Sequence, residues 1–110
     1  MSTLPPEVTD AFIAAAVATL QELAQASTVF DGAPNDAGPL LPGPVLIATV
    51  QLLRSPSGTM SLVLPADTAT QLAARYLPVG TELAPELVAD VAGEFANVIA
   101  GQAKTMLKGT

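Results

Sequence analysis

Residues Ala84 to Lys108 read APELVADVAGEFANVIAGQAKTMLK. Pro85 suits a first helical position, because a proline there gives up an N–H that has no acceptor within the helix anyway. Lys104 and Lys108 fall where a helix dipole favours cations, and Gly109 is a natural stop signal. The spacing predicts one long helix. At roughly 100° per residue, Leu87, Val91, Phe95, Val98 and Met106 form an apolar stripe, and Ala89, Ala92, Ala96, Ala100 and Ala103 form a thin-walled face. Asp90, Glu94, Asn97 and Gly101 fall in a narrow sector elsewhere, roughly 110° from the apolar centre. They make a polar ridge.

Upstream of this helix, Asp67 or Thr68 can cap a short helix in which Ala69, Leu72, Ala73 and Tyr76 face inward, and Pro78 and Gly80 end it. Before it, Val45 to Leu53 and Thr59 to Leu64 alternate in the manner of half-buried strands, with Leu46, Ala48, Val50, Leu52, Met60, Leu62 and Leu64 on one face. Arg54-Ser55-Pro56-Ser57-Gly58 is turn chemistry and predicts an antiparallel hairpin. A hairpin alone is marginal, so helices must cover one face. Asp31 to Pro44 contains Pro34, Pro39, Pro42 and Pro44 with Gly32, Gly38 and Gly43, so neither helix nor ladder persists there, and Leu40 and Leu41 are the residues that would tuck inward. At the start, Ser2 or Thr3 can cap a helix running to about Ala26, with Val8, Phe12, Ala16, Leu20, Leu23 and Ala24 on its packing side. The expected class is α+β: an antiparallel hairpin or small sheet against an N-terminal helix, a short helix and a long C-terminal helix.

Composition narrows the chemistry. The 110 residues suit one small domain, and with half of them apolar the chain is globular. Aromatics are scarce and alanine is abundant, which favours closely packed helices over an aromatic-lined pocket. The formal charge of −6, with Arg54, Arg75, Lys104 and Lys108 scattered, argues against a nucleic-acid or anionic-membrane surface. There is no cysteine and no histidine. That removes thiol nucleophiles, Cys/His zinc sites, Ser-His-Asp triads and imidazole acid-base catalysis, and leaves carboxylates, amides and hydroxyls. No phosphate-cradling glycine loop is present, and Ala11 to Leu20 is too short for a membrane span and lacks a basic region before it. The expected compartment is the cytoplasm.

The order Asp-x-x-x-Glu-x-x-Asn-x-x-x-Gly, written here as DVAGEFANVIAG, resembles the signature helix of the CheC, CheX and FliY family of chemotaxis phosphatases. The resemblance is to a CheX-like member with a single motif. It implies a protein phosphatase acting on a phosphorylated CheY-like response regulator, whose aspartyl phosphate hydrolyses with the regulator's own magnesium. No cofactor is then expected on this chain. By the same resemblance Asn97 matches the asparagine that inserts into the regulator's site and orients the attacking water, and Glu94 matches the glutamate that meets the regulator's lysine. Asp90 matches a position where the family tolerates Asp or Ser and takes a supporting role, as do Gly93 and Gly101. The resemblance also implies two or more further strands after the signature helix. Here the sequence stops at Thr110, so residues 1–110 read as a single CheX-like domain that is truncated, is completed by a second copy through exposed strand edges, or has lost those strands.

Blander explanations compete with each of these. A lone Glu or Asn on a surface helix is ordinarily just solvated, but an asparagine mid-helix beside a glycine is poorly explained by solvation. Gly93 and Gly101 cost roughly 1 kcal/mol each against alanine, offset either by a partner's close approach or by tight helix-on-sheet packing. Glu86, Asp90 and Glu94 repel one another at spacing four. Metal binding by Asp90, Glu94 and Asn97 would give a poor octahedral cage. The alternative function is a non-catalytic adaptor or flagellar-switch-like module of the same fold; a small-molecule binder has little support.

Overall fold

The computed structural model describes residues 5–28, 43–54 and 57–108. Within them the order is α1 (Pro6–Ala24), β1 (Val45–Leu52), β2 (Gly58–Pro65), α2 (Ala66–Tyr76) and α3 (Pro85–Lys108), the α+β arrangement expected. The strands form one antiparallel sheet, in register from Val45 opposite Pro65 to Leu52 opposite Gly58. Pairing places Leu46 with Leu64, Ala48 with Leu62 and Val50 with Met60, and these side chains meet α3. The other face carries Ile47, Thr49 and Gln51, and a hydroxyl pair, Thr49 Oγ1 to Ser61 Oγ at 2.9 Å, ties its two strands.

Every other element packs on α3. The α1–α3 contact is built from small residues: Ala11 and Ala15 meet Ile99 and Ala103, and Phe12, Met60, Leu62 and Leu107 close around them. Alanine lets two helix backbones approach closely, which is how an alanine-rich chain with few aromatics fills its interior. A second cluster joins α1, α2 and α3 through Ala24, Ala69, Leu72, Ala73, Val88, Val91 and Phe95, with Phe95 only 1 % exposed.

Three expectations need correction. On α3 the buried residues are Val88, Val91, Ala92, Phe95, Ala96, Ile99, Ala100 and Ala103, whereas Leu87 and Val98 are half-buried and Ala89 and Met106 exposed. Because helices and sheet press on α3 together, its buried sector spans about half the circumference and is centred near Val88 and Ile99. On α1 the buried line is Ala11, Ala15, Thr19 and Ala24, and Val8, Phe12, Ala16, Leu20 and Leu23 flank it half-buried, since small residues mark the closest approach. The helix caps also differ. Pro5 stands at the N-cap of α1 and Pro65 at that of α2, neither with a side-chain cap, so Asp67 and Thr68 lie inside α2. Ser2, Thr3, Leu40, Leu41, Ser55, Pro56 and Gly109 lie outside the described residues.

The ends of the helices follow local rules. Gln25 takes a left-handed φ of 50°, and the amides of Gln25 and Ala26 close onto the carbonyls of Gln21 and Leu20, stopping α1 before Ala26. Leu77 is extended because it precedes Pro78, which ends α2 at Tyr76. At the start of α3 the carbonyl of Ala84 accepts from the amides of Leu87 and Val88, with Pro85 first in the helix as expected.

Candidate functional site on the exposed face of the third helix

Asp90, Glu94, Asn97 and Gly101 are all exposed. Their sector faces away from the centre of the buried one by about 180°, not the 110° the side-chain pattern gave, because the true packing centre lies at Val88 and Ile99. The ridge is therefore the outermost line of α3. Glu94 and Asn97 are separated by one turn, which puts their Cβ atoms about 5–6 Å apart on the same side. A rod pinned along half its circumference fixes the backbone from which both side chains project.

The ridge changes character along its length. Glu86, Asp90 and Glu94 make its N-terminal part acidic, Asn97 and Gly101 are neutral, and Lys104 and Lys108 follow. This order matches the helix dipole, which favours anions at the N-terminus and cations at the C-terminus. Lys104 Nζ donates to the carbonyl of Arg54 at 2.7 Å and so ties the last turns of α3 to the end of the hairpin. Gly93 is half-buried and Gly101 exposed, and a Cβ built at either would meet nothing within 4 Å. Crowding within the described residues does not account for them.

Sequence reasoning missed one neighbour of the ridge. Tyr76, the last residue of α2, was expected only to face inward, and its ring does pack at right angles on Phe95 with centroids 5.3 Å apart. Hydrogen bonding toward Glu94 first, then burial, then the negative charge of that carboxylate hold the phenol above its ordinary pKa. No pattern in the sequence points to this contact, which depends on how two helices meet.

Neither of two cavities among the described residues takes in the ridge. Cavities of about 410 and 420 Å³ lie elsewhere: the first between Val8, Phe12, Met60 and Ile99, the second between Leu20, Thr28, Gln71 and Arg75. Among the described residues no group of three or more Asp or Glu side chains gathers to hold a metal ion. No described helix is long and apolar enough to cross a membrane.

The chain is thus an α+β protein whose third helix turns Glu94 and Asn97 outward. The family model described as chemotaxis phosphatase CheX matches residues 46–110, more than half of the chain and all of α3. The chain is a member of the CheX family of chemotaxis phosphatases. Comparison with curated proteins and with solved structures found no match.

Proposed function

We propose that this chain hydrolyses the aspartyl phosphate of a CheY-like response regulator, using Asn97 and Glu94 of α3. The observation that carries the reading is the pair itself: an exposed carboxamide and an exposed carboxylate, one turn apart on the outermost line of a helix that lies within the family match. In the reaction, water attacks phosphorus in line with the bond to the regulator's aspartyl oxygen. That bond breaks, the aspartate is released as carboxylate, and inorganic phosphate leaves. Most of the work is positioning and charge stabilisation. The regulator's own magnesium offsets the phosphoryl charge, and this chain contributes no metal.

Asn97 supplies orientation. A carboxamide has both an acceptor oxygen and donor hydrogens, so it can hold a water in line without depending on pH, which suits a chain without histidine. Glu94 pairs with the regulator's lysine and fixes the depth of insertion. Part of that gain is lost to desolvation. Asp90 supports from one turn away, and Gly93 and Gly101 leave room beside the ridge for the partner's backbone.

The direct test is the decay of phosphorylated regulator with and without the protein. Faster decay in its presence, stopped by EDTA through the regulator's magnesium, is expected. Binding without any acceleration would instead favour the adaptor reading of the same fold.

A further inference from the structure

We propose that the outer edge of β2, which faces α1 across an apolar groove, takes up one extended, basic-flanked peptide segment of a partner protein as a third strand. This goes beyond the phosphatase reading and does not depend on it, since neither Glu94 nor Asn97 borders the groove. The cavity of about 410 Å³ is lined by β2 residues 59 to 62 in succession. Successive strand residues point to opposite faces, so a hollow that touches all four runs along the edge of the strand and not over one face. Its opposite wall is Val8, Phe12 and Ala16 of α1, with Ile99 of α3 between. No Cα of α1 comes within 8 Å of a Cα in either strand, so the helix stands beside α3 over a place in the sheet that no described strand fills.

The register decides which backbone groups meet the groove. The Ala66 amide donates to the Pro44 carbonyl at 3.0 Å, one pair beyond Val45 and Pro65. Bonded and unbonded pairs alternate in an antiparallel ladder, so Met60, Leu62 and Leu64 exchange bonds with β1, while Thr59, Ser61 and Val63 turn N–H and C=O outward. An extended peptide laid along this edge satisfies them, and alternate side chains of it enter between Phe12 and Met60. No charged residue lines the groove, so those side chains are apolar. A second copy of this chain does not fit. Because α3 covers both strands, a copy entering with its helices on this side brings its own α3 into the place of α1. Entering with them on the other side, it turns the hydroxyls of Thr49 and Ser61 towards Phe12. Pairing between copies is left to the edge of β1. Charge selects the flanks of the peptide: α1 carries Glu7, Asp10 and Glu22 and no base, neither strand has a charged side chain, and the whole chain is −6.

The probe is a synthetic peptide alternating valine and threonine with lysine at both ends, added to the native chain and followed by amide hydrogen exchange. At saturation the amides of Thr59, Ser61 and Val63 are expected to exchange at least about tenfold more slowly, and those of Met60, Leu62 and Leu64, already bonded to β1, to change little. The same peptide N-methylated at each central residue keeps its side chains and loses its donors, and is expected to bind at least about tenfold more weakly. Equal binding of the two, or binding that leaves Thr59 and Ser61 unprotected, shows an apolar cavity only and overturns strand addition, as does a failure of the unmodified peptide to bind. Protection of these amides that rises with protein concentration in the absence of peptide assigns the edge to a second copy and overturns it too. Glutamate in place of the peptide's lysines is expected to weaken binding about threefold or more at low salt, and equal binding overturns the choice of a basic partner.

Discussion

Glycine inside a helix costs about 1 kcal/mol relative to alanine, and α3 carries two, at 93 and 101. Since a Cβ at either would meet nothing within 4 Å, the free chain gains nothing from their smallness. Gly93→Ala and Gly101→Ala are each expected to stabilise the isolated protein by about 0.5–1 kcal/mol, read from chemical denaturation, while weakening its complex with the regulator. Stabilisation with an unaltered complex would remove their role beside the ridge. Glu94→Ala is expected to behave differently. Losing a charge-assisted hydrogen bond should weaken the complex about tenfold or more and leave hydrolysis in the bound state nearly unaffected, which titration of complex formation and saturating kinetics separate. Equal losses in both would contradict an anchoring role.

At the level of elements, α3 is the piece the others hold, and alanine sets how closely they hold it. Ala15 is 0 % exposed and packs in the same cluster as Ile99 and Ala103, so Ala15→Leu would force α1 away from α3 and is expected to cost about 1–3 kcal/mol, measurable as a lower denaturation midpoint. No loss would mean that the contact is looser than the buried alanines imply. The sequence makes the elements themselves legible for simple reasons. Thr49 to Leu52 alternates polar and apolar residues, Pro78 forbids continuation of α2, and Pro85 begins α3 where a proline is tolerated. The phase of α3 was less legible. Ranking its faces by side-chain size favours Leu87, Val98 and Met106, but burial follows the closest neighbours, and those select Ala92, Ala96, Ala100 and Ala103 together with Val88 and Ile99. The ridge was readable because four polar or glycine positions share one side of a helix. Tyr76 was not, because its approach to Glu94 is fixed by the placement of α2 on α3, which local periodicity does not encode.

For the molecule as a whole, two properties set how it meets others. Among the described residues each strand has a single neighbour, so both sheet edges present unpaired backbone groups, and Ile47 on the outer face is 60 % exposed. Such edges favour pairing with a second copy. Sedimentation is expected to show a dimer that grows with protein concentration, and a monomer throughout the range would contradict edge pairing. The charge of −6, with acids gathered at the N-terminal part of the ridge, favours approach of a basic surface and makes association weaker as salt rises. The whole account turns on whether the outward carboxamide does chemistry on a partner. Single-turnover decay of regulator phosphate, with saturating Asn97→Ala protein, asks this directly. A fall of about a hundredfold in the rate of the bound complex, with affinity retained, is expected; decay at the native rate in the saturated complex would contradict it.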